Sequence, residues 1–291
     1  MTRALLTSLA QFAELVKFSH TVFLLPFACA AVVLAGGRAR LEGRVLWWTL
    51  VALVAARSAA MVMNRIADRE LDALNPRTAG RPLVTGRVSL GRAWGWLVGW
   101  SLVFLLAAGM LNRLCLYLAP AALAWVLAYS FTKRFTALCH LWLGVATALA
   151  PVGAWCAVTG TWEPRVAVLG VAVALWVAGF DVIYACQDMA FDRAQGLHSL
   201  PARLGLGRAL WLSRLMHAAA VAGFWALGPW FGLGELYRGG VVVLGVVLAA
   251  EQVLVARRRA NIPLAFFTLN GVVSILFLAL VLADRLGEGW A

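Results

Sequence analysis

Two stretches of this chain place carboxylates at spacings that can do chemistry. In MNRIADRELDALNPRTAGRP, residues 63–82, Asn64, Asp68 and Asp72 follow one another at intervals of four. In FDVIYACQDMAFDRAQGLHSLPARLGLGRALW, residues 180–211, Asp181 and Tyr184 precede a second pair, Asp188 and Asp192. At helical periodicity, residues 57, 61, 64, 68 and 72 share one stripe, and so do 181, 184, 188 and 192. Each stretch is therefore expected to present its acids on one helix face. Four aspartates brought together repel one another unless a cation is present. Their hard oxygens suit Mg²⁺, which is held by one or two carboxylates together with substrate phosphates. Arg77, Arg81, Lys133 and Arg134 are natural partners for those phosphates. The bland alternative is a solvated helix end whose acids are balanced by neighbouring arginines. One pair alone favours that alternative; two pairs at equivalent places, each beside a basic loop, favour a Mg²⁺–diphosphate site.

The elements that must carry these residues are membrane helices. The chain is 63% hydrophobic and 13% charged, with mean hydropathy +0.85, where soluble domains are about 25% charged. Repeated apolar runs long enough to cross a bilayer mean an all-α polytopic protein, because only helices satisfy the backbone within lipid. Nine spans are expected near 18–36, 45–66, 93–111, 114–131, 140–160, 165–186, 210–228, 239–255 and 264–283. An amphipathic stretch precedes the first, which reads as a retained helix and not a signal peptide. Of the 25 Lys and Arg, 17 fall on the side of the N-terminus and 7 on the other, with Arg57 inside a span. That excess predicts a cytoplasmic N-terminus and cytoplasmic loops at 67–92 and 187–209, in a bacterial-type inner membrane. It also accounts for much of the +12 net charge, so nucleic acid is not an expected partner.

The two acid stretches echo each other. Each ends an apolar span, runs through a loop with Gly, Pro and Arg, and re-enters the membrane on a similar phrase, LGRAW at 90–94 and LGRALW at 206–211. Asp68 and Asp188 are 120 residues apart, Arg92 and Arg208 116. Two related helical halves are the expectation. The five cysteines and four histidines are scattered without CxxC or metal-ligand spacing, which indicates neither a disulfide framework nor a zinc site.

Taken together, these motifs resemble the UbiA family of intramembrane aromatic prenyltransferases. Its first motif, Asn-x3-Asp-x3-Asp, is matched by Asn64, Asp68 and Asp72; its second by Asp181, Tyr184, Asp188 and Asp192. YSFTKRFT at 129–136 is similar to the family's segment after the fourth helix. The wording of NPRTAGRP and YACQDMAFDRAQGLHSLPARLG is similar to the bacterial 4-hydroxybenzoate-prenyltransferase-like group, which includes the MqnP-type enzymes of menaquinone synthesis. Arg65 departs from the pattern, since many relatives carry an Asp directly after the Asn.

The resemblance implies one domain over residues 1–291, with nine transmembrane helices in two related halves around a central cavity. It implies transfer of a polyprenyl group from its diphosphate to a ring carbon of a hydroxylated aromatic acid, either 4-hydroxybenzoate or a dihydroxynaphthoate, in quinone synthesis. Mg²⁺ would be held by Asn64, Asp68, Asp72, Asp188 and Asp192, and the diphosphate by Arg77, Lys133 and Arg134. Tyr129 and Tyr184 would shield the allylic cation, and the isoprenoid tail would lie among membrane lipids. Arg57 sits seven residues before Asn64, about 10 Å deeper on the same face. An arginine inside a span faces a cavity or a partner, here the acceptor carboxylate or Asp181. Asp181 would hold Arg57 or act on the acceptor's hydroxyl. A transporter built from internal repeats is the competing class.

Overall fold

The computed structural model describes residues 11–12, 14–15, 24–36, 42–258, 260 and 262–287. All regular structure among them is helical. The chain folds as two compact units, one of Met1–Val22 with Trp47–Phe131, the other of Phe23–Leu46 with Thr132–Ala291.

Eight helices are long and apolar enough to cross a membrane, and each overlaps an expected span. They are α2 (Gly43–Ala67), α4 (Leu90–Leu111), α5 (Arg113–Thr132), α6 (Cys139–Thr159), α7 (Pro164–Ala185), α10 (Leu206–Phe231), α11 (Glu235–Arg257) and α12 (Ile262–Gly287). The expected first span appears as α1, the 11-residue apolar helix Leu25–Ala35; its positions 18–23 lie outside the described residues. The two acid-bearing loops are not simple loops. The first contains α3 (Arg69–Leu74), the second α8 (Met189–Ala194) and α9 (Leu200–Leu204).

In the larger unit α7 is the centre, flanked by α6 and α10. It is apolar all round and buried along most of its length, as a helix without a polar face must be. Lipid offers no hydrophobic drive for helices to associate, so close approach of small residues supplies the packing. Gly144 of α6 lies so close to the Ala174 carbonyl of α7 that a Cβ there would collide with it. A Cβ on Gly223 of α10 would come within 2.8 Å of the Ala172 side chain. Phe27 of α1 packs on Trp176 at 4.9 Å and stacks on Phe277 at 4.8 Å, tying α1, α7 and α12 together.

Several buried polar groups in this unit are matched across helices. A π-turn at Ala265–Leu269 precedes Asn270, which accepts from Trp176 Nε1 (2.8 Å) and donates to Glu251 Oε1 (3.0 Å). Asp284 accepts from the backbone amides of Gly234 (3.1 Å) and Tyr237 (3.3 Å), capping α11 from another helix.

In the smaller unit Leu15, Ala59, Val62, Leu83, Val88, Ala93 and Leu97 form the core. That cluster joins Leu15 to the acid-bearing end of α2, the start of α4 and the intervening loop. Phe12 stacks on Trp100 at 5.4 Å. The first acid motif is thus seated beside this core.

Candidate active site

In the first motif α2 ends at Ala67, and Asp68 is a junction residue (φ −95°, ψ 7°) before α3. The backbone bonds Asp68 N to Asn64 O (3.0 Å) and Asp72 N to Asp68 O (2.7 Å) carry helical spacing across the junction. The 64–68–72 order therefore survives a break that the sequence did not signal. Asn64 Nδ2 donates to Asp68 Oδ2 at 2.8 Å. Arg65, 5% exposed, donates from Nη1 to Asn64 Oδ1 (3.0 Å) and from Nε to the Leu15 carbonyl (3.4 Å). With its oxygen accepting from Arg65, Asn64 is turned so that its amide nitrogen meets Asp68. Buried Asp72 accepts from Arg81 Nη1 on both oxygens, 2.6 and 2.5 Å, and its carbonyl accepts from Thr78 Oγ1 at 3.0 Å.

The second motif repeats the turn with a different approach. Asp188 is again a junction residue, with φ −97° and ψ 5°, before the equally short α8. Asp192 N bonds Asp188 O at 2.7 Å, the same length as in the first motif. Upstream, however, Cys186, Gln187 and Asp188 bond three residues back, to Ile183, Tyr184 and Ala185. This tighter winding interrupts the α-helical spacing between Asp181 and Asp188. Asp192 is 1% exposed and pairs with Lys133 Nζ at 3.2 Å. Burial alone would lower the Lys133 pKa, but the Asp192 carboxylate beside it, helped by Asp181 and Cys139, outweighs that effect and holds the ammonium above its ordinary value.

One acid of each motif has a basic partner within the protein. Asp72 is paired with Arg81 and Asp192 with Lys133, so a basic side chain relieves repulsion in each motif. Among the described residues no three His, Cys, Asp or Glu side chains form a metal-holding cluster.

The other expected residues fall as follows. Arg77 and Arg134 are exposed, while Tyr129 and Tyr184 are half-buried. Arg57 is half-buried in α2, and its Nε is shielded from solvent without a hydrogen-bond partner among the described residues. His140 stands in no recognised spacing in the sequence, yet its Nδ1 lies 2.6 Å from Asp181 Oδ2 and its Nε2 accepts from the Leu200 amide at 3.3 Å. The only signal for it was its place in ALCH, directly after the KRFT phrase at the start of α6.

The UbiA prenyltransferase family model matches residues 23–281, and the chain belongs to that family. It is a membrane-integral prenyltransferase, which decides against the transporter alternative. It is 34% identical over 249 residues to a 4-hydroxybenzoate octaprenyltransferase of Nitrosospira multiformis, covering 85% of each chain. It is 31% identical to one of Saccharophagus degradans, covering 81% of this chain and 79% of that one. Among solved structures it is similar to the apo structure of a UbiA homologue from Aeropyrum pernix K1, with TM-score 0.78, 35% identity and coverage of 92% and 98% of the two chains. The fold is shared with a UbiA homologue from Archaeoglobus fulgidus bound to DMAPP and Mg²⁺, with TM-score 0.77, 21% identity and coverage of 94% and 98%.

Proposed function

We propose that this enzyme transfers a polyprenyl group from polyprenyl diphosphate to a ring carbon of 4-hydroxybenzoate in respiratory quinone synthesis. The observation that carries this reading is the repeated turn, Asp68–Asp72 and Asp188–Asp192, each with one buried acid held by a base. The relatives named above support 4-hydroxybenzoate as the acceptor.

The donor set, all carboxylate with the Asn64 amide, fits a hard divalent cation that completes its shell with phosphate oxygens. Asn64, Asp68, Asp72, Asp188 and Asp192 would hold Mg²⁺. When bound, it would supply Lewis-acid neutralisation of the diphosphate leaving group. Arg77, Lys133 and Arg134 would bind the diphosphate, with Lys133 fixed for that task by Asp192. Arg81 would hold Asp72 in place and supply positive charge to the same anion. Tyr129 and Tyr184 would shield the allylic cation. Arg57 would take the acceptor carboxylate, consistent with an Nε that lacks a partner among the described residues. Asp181 would accept a hydrogen bond from the acceptor's hydroxyl, which makes the ring a better nucleophile. Placement of the motifs and N-terminus on the cytoplasmic side of a bacterial inner membrane follows from the Lys and Arg excess.

The test is purified protein with Mg²⁺, geranyl diphosphate and a panel of acceptors. Prenylated 4-hydroxybenzoate is the expected product. Product from a dihydroxynaphthoate instead would overturn the acceptor assignment, and no product from any aromatic acid would overturn the reading as a whole.

A further inference from the structure

We infer that His140 is a positioning residue for the reaction, holding Asp181 in one orientation and coupling it to the turn that carries the second acid motif. The inference rests on the reading of Asp181 as the carboxylate that meets the acceptor's hydroxyl.

His140 opens α6 and its side chain is fully buried. Its two ring nitrogens have different partners, and these fix the tautomer. The Leu200 backbone N–H can only donate, so Nε2 must offer its lone pair. The ring proton therefore sits on Nδ1 and is donated to Asp181 Oδ2. Asp181 Oδ1 has no hydrogen bond among the described residues; the side chain is 14% exposed and lies within electrostatic reach of Lys133. One oxygen is thus anchored and the other remains open, which suits a group that must accept a hydrogen bond from a substrate in one defined place.

The far side of the ring reaches the acid motif. Leu200 begins α9, whose first turn is capped by Ser199. Between Asp192 and Leu200 the chain is tied to the connection that leads into α6. His198 N donates to the Lys133 carbonyl (2.7 Å), and Cys139 Sγ donates to the His198 carbonyl (3.6 Å). Lys133 Nζ meets Asp192 (3.2 Å). Residues 133–140 and 192–200 therefore form one bonded set, with the Lys133–Asp192 pair at one end and His140–Asp181 at the other. Movement of the turn that bears Asp192 is transmitted to Asp181 through His140, which links the group facing the donor to the group facing the acceptor.

Two substitutions separate positioning from simple loop docking. In His140→Asn the amide nitrogen stands near the Nδ1 position, so the donor to Asp181 is kept and the Leu200 bond is lost. In His140→Gln the amide oxygen reaches the Nε2 position, so the Leu200 bond is kept and the Asp181 donor is lost. Each variant is made alone and with Asp181→Asn, purified as the full chain, and checked by thermal melting. Each is assayed with Mg²⁺, geranyl diphosphate and 4-hydroxybenzoate. His140→Gln is expected to lower kcat/KM for the acceptor about tenfold to a hundredfold, because a misplaced group near the chemistry costs that much. The KM for geranyl diphosphate should stay within about twofold, and His140→Asn should retain most of the activity. On the Asp181→Asn background neither change should cost more. Equal losses in the two variants, loss confined to the donor KM, or a further loss on the Asp181→Asn background would overturn the inference. Wild-type turnover by Asp181→Asn alone would instead sink the role given to Asp181, and His140 would fall with it.

Discussion

Lys133 and Asp192 are 59 residues apart in sequence and 3.2 Å apart in the fold. The pair joins the connection after α5 to the second acid motif, and it makes a definite claim about pH. The folded-state Lys133 pKa is raised, so the pair's contribution is complete below the ordinary lysine range and is lost only as pH rises through the folded value. The KM for geranyl diphosphate should therefore stay flat between about pH 7 and 9 as far as Lys133 is concerned. Asp192→Asn removes the main group that opposes burial, so Lys133 should lose its proton earlier and the donor KM should rise within that window. A pH series of donor KM values in both proteins decides it; identical profiles would show that Asp192 does not hold the charge of Lys133.

The four motif acids should differ in what their loss does to folding. Asp72→Asn or Asp192→Asn leaves Arg81 or Lys133 beside a neutral amide, and should cost about 1–3 kcal/mol of stability as well as activity. Asp68→Asn and Asp188→Asn, which break neither of these ion pairs, should lose most turnover while melting nearer to wild type. Melting curves in detergent beside turnover at saturating Mg²⁺ make the comparison. Equal destabilisation across all four would contradict the division of labour between the junction acids and the buried acids.

Arg57 should read the acceptor's carboxylate. Arg57→Ala should lower activity on 4-hydroxybenzoate by about 1–4 kcal/mol in kcat/KM, the cost of leaving a charged group without its partner. Arg57→Lys should rescue poorly, because an ammonium lacks the planar fork. On a phenol without the carboxylate, wild type and Arg57→Ala should be similar. An equal fall on both substrates would make Arg57 structural.

Gly144→Ala should destabilise the larger unit by about 1–3 kcal/mol, since the new methyl would collide with the Ala174 carbonyl and α6 and α7 must part to admit it. Gly153→Ala, on the same helix with open space around its Cβ, is the control and should melt like wild type. Similar melting of both would mean that α6 and α7 do not rely on this contact.

The sequence alone determined which segments span the membrane, because lipid obliges long apolar runs to close their own hydrogen bonds. Eight expected spans recur within a few residues of their limits. The spacing of Asn64, Asp68 and Asp72 was legible too, since helical geometry preserves it even across the break at Asp68. What the sequence did not reveal depends on contacts between distant residues. Arg65, read only as a departure from the family pattern, is buried and turns Asn64 toward Asp68 by holding its oxygen. Arg81 and Lys133, read as phosphate partners, are first of all the counterions of Asp72 and Asp192. His140, one scattered histidine among four, finds Asp181 and Leu200 only when residues 133–140 and 192–200 are bonded together. Periodicity fixes the direction in which a side chain leaves its own helix, but a hydrogen-bond partner 41 or 60 residues away is settled only by how helices and loops pack.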